Sequence, residues 1–230
     1  MCFSFSSSIN SWFIALIGSI FLLAISNNTS LALWTSAFTL TFTQIQIIEA
    51  IIWKSLEMNK NADVSNVAKY IPILLWFQPF VQSLFGYFHT KNIFLLYLSF
   101  VYMLIILFEL NTNDRFEIKI SNNNHLVWKR IRNGKSPRSD GLSASGKNIY
   151  ILGDNYLYGI IYLFGLVAPV FFISDNLLMK YGLASAGIIS FIYSLSFEPE
   201  EFNSMWCYYA INYILIANLA ELITIYKSKN

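Results

Sequence analysis

The chain has 230 residues, 56% of them apolar and 12% charged, with a formal net charge of +2. That leaves too few charged groups to clothe a water-soluble body of this size, and it fits a polytopic membrane protein. The lipid bilayer is the first partner this implies, and the small net charge gives no ground for a nucleic-acid partner.

The first 48 residues hold no Asp, Glu, Lys or Arg, and the first charge, Glu49, falls inside an apolar run. A hydrocarbon core of about 30 Å needs about 20 apolar residues per helix, with backbone groups bonded within the helix. Charge-poor windows of that kind fall at 9–26, 31–53, 70–89, 92–109, 155–174, 180–197 and 202–226. The expected fold is all-α, a polytopic membrane bundle of seven transmembrane helices forming one domain over 1–230. Window 9–26 lacks the basic flank and small-residue cleavage site of a secretory signal, so it reads as a span. Ser26-Asn27-Asn28-Thr29-Ser30 is a short turn of capping residues. Residues 54–69 read as a polar loop, and 89–92 and 175–178 as tight turns.

Between the fourth and fifth windows lies a soluble basic loop, 111–150. It carries Arg115, Lys119, Lys129, Arg130, Arg132, Lys135, Arg138 and Lys147 against Asp114, Glu117 and Asp140. Phe116, Ile118 and Ile120 alternate before Asn122-Asn123-Asn124, and Leu126 to Ile131 follow, which is the pattern of a β-hairpin. From Asn133 to Gly146 the composition is that of a tether. Of the 15 Lys and Arg, eleven fall on the side holding the N-terminus and this loop. The other four are Lys91, Lys180, Lys227 and Lys229. The asymmetry predicts a cytoplasmic N-terminus and a C-terminus outside. The loop's charge serves first to fix this topology, and the alternative reading is that it binds anionic lipid headgroups or a protein partner.

Polar stripes on apolar helices point to neighbours or to a cavity. Thr35, Ser36, Thr39, Thr43, Gln46 and Glu49 share an arc of about 140° on the second span, and Gln78, Gln82 and His89 share about 40° on the third. Pro79 is expected to kink that third span. Asn203, Cys207, Asn218 and Glu221 share a face of the seventh, while Gly182, Ala186, Ser190 and Ser194 form a small-residue seam on the sixth. Interhelical hydrogen bonding accounts for most such positions. Glu49 stands apart, because an ionisable group within a span is costly.

Four short segments carry a resemblance: Met1-Cys2-Phe3-Ser4, Gln46-Ile47-Ile48-Glu49-Ala50-Ile51-Ile52-Trp53, His125-Leu126-Val127-Trp128 and Asn203-Ser204-Met205-Trp206-Cys207-Tyr208-Tyr209. Together they resemble a family of seven-helix membrane proteins of bacteria and large DNA viruses whose chains begin Met-Cys-Phe-Ser or Met-Cys-Trp-Ser. Ala50 stands where that family often has Gly, and Ile45 where a second Gln is common. The resemblance implies a fold and a membrane address, not an activity.

Alternating seven spans puts Cys2, Glu49, His125 and Cys207 on one membrane side, a set of ligands suited to a soft or borderline metal. Their spacing matches no zinc pattern, and no cofactor is otherwise indicated. The last span has no lysine within it, which excludes a retinal Schiff base. Three functions stay open. One is a small channel, carrier or ligand-binding protein with a polar cavity near the N-terminal side, lined by Gln46, Glu49, Trp53, Gln78, Gln82, His125, Trp128, Trp206 and Cys207. The others are a scaffold or sensor acting through 111–150 and a membrane-embedded thiol- or metal-dependent enzyme. Stripes on three helices favour the first; the oligomeric state stays open.

Overall fold

The computed structural model describes residues 4–58, 61–111, 115–120, 126–131, 156–194 and 211–229. Helix α1 (Phe5–Ile25) starts where the Ser4 hydroxyl accepts the Ser7 N–H at 3.2 Å. Helix α2 (Thr29–Glu57) starts where the Asn28 side chain accepts from Leu31. Both are longer than the apolar windows alone predict, because side-chain caps extend a helix past its lipid-facing stretch.

Residues 54–69, expected as a loop, instead contain a helix, α3 (Asn61–Ala68). Val64, Val67 and Ala68, three and four residues apart, give it an apolar face packed on the core. Helix α4 (Ile71–Thr90) runs through Pro79 and ends at Lys91, whose φ of 56° is left-handed. Helix α5 (Ile93–Leu110) follows at once, with Asn92 accepting from Phe94 at 2.9 Å.

Strands β1 (Arg115–Ile120) and β2 (Leu126–Ile131) pair antiparallel, from Arg115 opposite Ile131 to Ile120 opposite Leu126. β1 touches α3 and Leu126 is buried, so the pair lies against the bundle. Helix α6 (Tyr156–Val167) tightens into a 3₁₀ segment, Ala168–Phe172. The unbroken span expected at 155–174 is thus interrupted at Pro169, which has no N–H to donate and clashes in an α-helix interior. Helix α7 (Leu177–Ser194) is capped by Asn176, which accepts the Met179 N–H at 2.9 Å. Helix α8 (Asn212–Lys229) closes the described chain.

α2 is the axis of the bundle, packed on α1, α3, α4 and α8, while α4 also meets α5 and α6 and α7 meets α8. Four segments are long and apolar enough to cross a membrane: Phe5–Ile25, Thr29–Glu57, Asn66–Thr90 and Ile93–Leu110. The first of them is patterned inside-out. On α1 the residues buried are Ser8, Ser11, Ala15, Ser19 and Leu22, whereas Phe13, Ile14, Ile17, Ile20 and Phe21 are exposed. A helix in water does the reverse, turning its apolar stripe to the core.

Close approach sets the register between helices. A Cβ on Gly165 of α6 would collide with the Tyr102 hydroxyl and with Pro79 Cβ at 2.5 Å. On α7, a Cβ on Gly182 would sit 2.8 Å from Ile216 of α8, while one on Gly187 would meet nothing within 4 Å. The expected small-residue seam therefore changes along its length. It is tight at Gly182, and at Ala186 and Ser190 it borders a small apolar cavity of about 30 Å³ with Phe38, Phe42, Val170 and Tyr213. Ser194 carries no described side chain.

Candidate functional site

Buried polar groups lie in three tiers along α2. The threonines expected to line a stripe are buried and their hydroxyls bond back to their own helix, Thr35 also lying 3.8 Å from the Met179 sulfur of α7. Thr35, Thr39 and Thr43 donate to the carbonyls of Leu31, Thr35 and Thr39 at 2.8–3.0 Å. Such back-bonding satisfies the hydroxyl without a neighbour. Ser36 instead donates across to the Ser19 carbonyl of α1 at 3.3 Å, fixing the antiparallel register of the two helices.

The middle tier is a closed network. The Gln82 carbonyl oxygen accepts the Trp34 indole N–H at 3.0 Å, and its amide donates to the Leu166 carbonyl at 3.2 Å and the Tyr213 hydroxyl at 3.1 Å. One side chain of α4 thereby joins α2, α6 and α8. The Leu166 carbonyl is available because a 3₁₀ ladder would pair it with residue 169, a proline with no N–H. One turn along α4, Gln78 donates to the Phe42 carbonyl at 3.4 Å and accepts from the Tyr162 hydroxyl. Both glutamines, cavity candidates from the sequence, are thus committed to protein partners.

The tier nearest the N-terminus is different. Gln46 and Glu49 are 0% exposed. Neither the oxygen nor the nitrogen of the Gln46 amide has a hydrogen-bond partner among the described residues. The Ser36–Ser19 register puts Ser8 and Trp12 of α1 within about a turn of the level of Gln46. The Ser8 hydroxyl and the Trp12 indole N–H are buried there, also without partners among the described residues. Single unpartnered atoms also occur on Ser19, Ser83 and Asn218, but Gln46 is orphaned at both ends of its amide.

At the opposite end, the turn between α1 and α2 gathers a third cluster. Glu221 of α8, buried, accepts from the Ser26 hydroxyl at 2.9 Å and the Asn27 N–H at 3.2 Å. Asn218 donates to the Gly18 carbonyl at 3.0 Å. His89 lies between Ser30 and Asp175, with the Trp34 ring 5.6 Å from its own. Patterning of single helices could not reveal this group, since its members come from separate segments spread along the chain.

Trp53, also proposed for the cavity, is buried near the end of α2. Trp128 pairs with Ile118 in the strand ladder, but its side chain lies outside the described residues. Cys2, His125, Trp206 and Cys207 lie outside them altogether, and with them most of the expected metal set. Among the described residues no group of three His, Cys, Asp or Glu is placed to hold a metal ion. The sequence also left unremarked the aromatic partners Trp34, Tyr162 and Tyr213, whose apolar bodies hide a hydrogen-bonding tip. The small-residue face of α1 was legible as Ser8, Ser11, Ala15 and Ser19 at helical spacing. No protein-family model, curated protein or solved structure matches the chain, so the helical bundle and its buried polar tiers carry the functional argument.

Proposed function

We propose that this chain is a seven-span membrane protein acting as a small channel, carrier or ligand-binding protein, with its polar site on the N-terminal side around Gln46 and Glu49. One observation carries the reading: a fully buried amide with neither end bonded among the described residues. Leaving such a group unsatisfied costs about 1–3 kcal/mol, so the site is built for water, an ion or a polar ligand. The closed middle tier would act as the floor of that site. Seven spans, a cytoplasmic N-terminus and membership of the Met-Cys-Phe/Trp-Ser family belong to the same proposal. They are supported by the charge-poor windows, the basic asymmetry and the shared motifs.

Gln46→Met tests it, because methionine keeps the length and removes the amide. Proteoliposomes carrying the purified chain and a pH-sensitive dye are assayed for proton flux, with Na⁺ and K⁺ gradients as further probes. Wild-type flux above empty liposomes, lost in Gln46→Met at an unchanged or raised melting temperature, is the expected result. A variant that loses stability and keeps its flux would assign Gln46 to packing instead.

A further inference from the structure

We infer that Ser30, His89 and Asp175 form a proton-binding site that, when loaded, ties the α1–α2 turn to the end of α4 and the start of α7. The inference does not rest on the reading of the N-terminal tier.

His89 Nδ1 is 2.8 Å from Ser30 Oγ, and His89 Nε2 is 3.2 Å from Asp175 Oδ1. Ser30 Oγ also lies 3.0 Å from Asn28 Oδ1. The orientation of that Asn28 amide is set twice over. Its oxygen accepts the Leu31 N–H at 3.1 Å, and its nitrogen donates to Asp175 Oδ2. Asn28 therefore presents an acceptor to Ser30, whose single hydroxyl proton satisfies it. With that proton committed, a proton on Nδ1 would face the Ser30 oxygen and another on Nε2 would face the carboxylate.

Either neutral tautomer breaks the chain. With the proton on Nε2 alone, Ser30 must turn to His89 and leave two oxygens facing each other without a proton between them. With the proton on Nδ1 alone, a lone pair faces the Asp175 carboxylate. The doubly protonated ring is the one state with every contact satisfied, and it adds an ion pair across two segments.

The charged groups around the ring agree with this assignment. The link before α7 contributes Asp175, 39% exposed, against a His89 side chain that is 8% exposed. The α1–α2 turn brings the uncharged Asn28, and α2 brings Ser30 and the Trp34 ring. Just past the end of its own helix lies Lys91, whose ammonium is drawn over the rings of Tyr87 and Phe88 at 6.0 and 5.9 Å. Glu221 of α8 holds the neighbouring residues Ser26 and Asn27 of the same turn. The three residue types are those of a hydrolytic triad, but a nucleophile needs a neutral ring to receive its proton. Here the serine proton already goes to Asn28.

A proton lost from His89 should release the turn. Hydrogen exchange of the full chain in lipid nanodiscs, followed at about pH 5.5 and about pH 8, reads this directly across the range where histidine changes charge. After correction for intrinsic rates, residues 26–31 and 174–178 are expected to exchange about tenfold faster at the higher pH, as loss of one charge-assisted bond implies. The ratio should fall near one in His89→Gln and in Asp175→Asn, and stay at the wild-type value in His125→Gln. Should His89→Gln fail to fold, Asp175→Asn, which changes a partly exposed side chain, carries the comparison. A wild-type ratio near one, or an equal ratio in Asp175→Asn, overturns the proposal. So does covalent labelling of Ser30 by a fluorophosphonate, which would make it a nucleophile.

Discussion

Gln82 shows how much one residue holds. Its amide oxygen serves Trp34 and its nitrogen serves Leu166 and Tyr213, all from helices other than its own. Replacing it by leucine keeps the volume and strands three buried groups, each costing about 1–3 kcal/mol in a water reference. The unfolded chain in a membrane also finds partners, which lowers the measured cost per bond to about 0.6 kcal/mol on average. Gln82→Leu should therefore lower stability by roughly 2–3 kcal/mol, read as a drop in melting temperature in detergent. Gln46→Met, by contrast, removes an amide that no described residue uses and should leave the melting temperature unchanged or raise it. The contrast between two glutamines on polar stripes could not be drawn from sequence. Spacing places both inside, but their partners sit on other helices.

At the scale of elements, helix contacts are governed by the few positions where backbones approach. α6 lies on α4 and α5 through Gly165, and a methyl group there meets Tyr102 and Pro79. Gly165→Ala should destabilise the fold by about 1–3 kcal/mol through overpacking. Gly187→Ala, on α7 where a Cβ meets nothing within 4 Å, should be neutral or slightly stabilising. Parallel thermal melts of the two variants in one detergent check the pair, and equal shifts would contradict the packing. The seam of Gly182, Ala186 and Ser190 was visible as a four-residue repeat. That Gly182 is a tight contact follows from α8, whose Ile216 fills the space at that level, while a small cavity borders Ala186 and Ser190. The Pro169 interruption of α6 was also open to sequence, since a proline at that position cannot continue a helical ladder.

For the whole molecule, the decisive feature is that serines, threonines and amides are buried together with an apolar core, while many phenylalanines and isoleucines face outward. Four segments are long and apolar enough to cross a membrane. Seven crossings would put residues 140 and 229 on opposite sides, and the positive-inside rule would put 140 in the cytoplasm. Single cysteines at those positions, with Cys2 and Cys207 replaced by serine, should label accordingly in intact cells: 229 reacts and 140 does not. Reaction at 140 alone reverses the orientation, and equal reaction at both contradicts an odd number of spans.

What the sequence determined was solvent and periodicity. A first stretch of 48 residues without charge admits only a membrane-type helix, because lipid demands internal backbone bonding and tolerates few ions. The burial of Thr35, Gln46, Glu49, Gln78 and Gln82 was equally local, since a polar residue on an apolar helix must turn away from lipid. The tertiary structure decided which of those groups are spoken for. Thr35 bonds its own helix, Gln82 three others and Gln46 no described residue. It alone brought Ser30, His89 and Asp175 together from three segments of the chain. Periodicity fixes the face a side chain lies on, but a hydrogen bond depends on which neighbouring helix reaches that face and at what height.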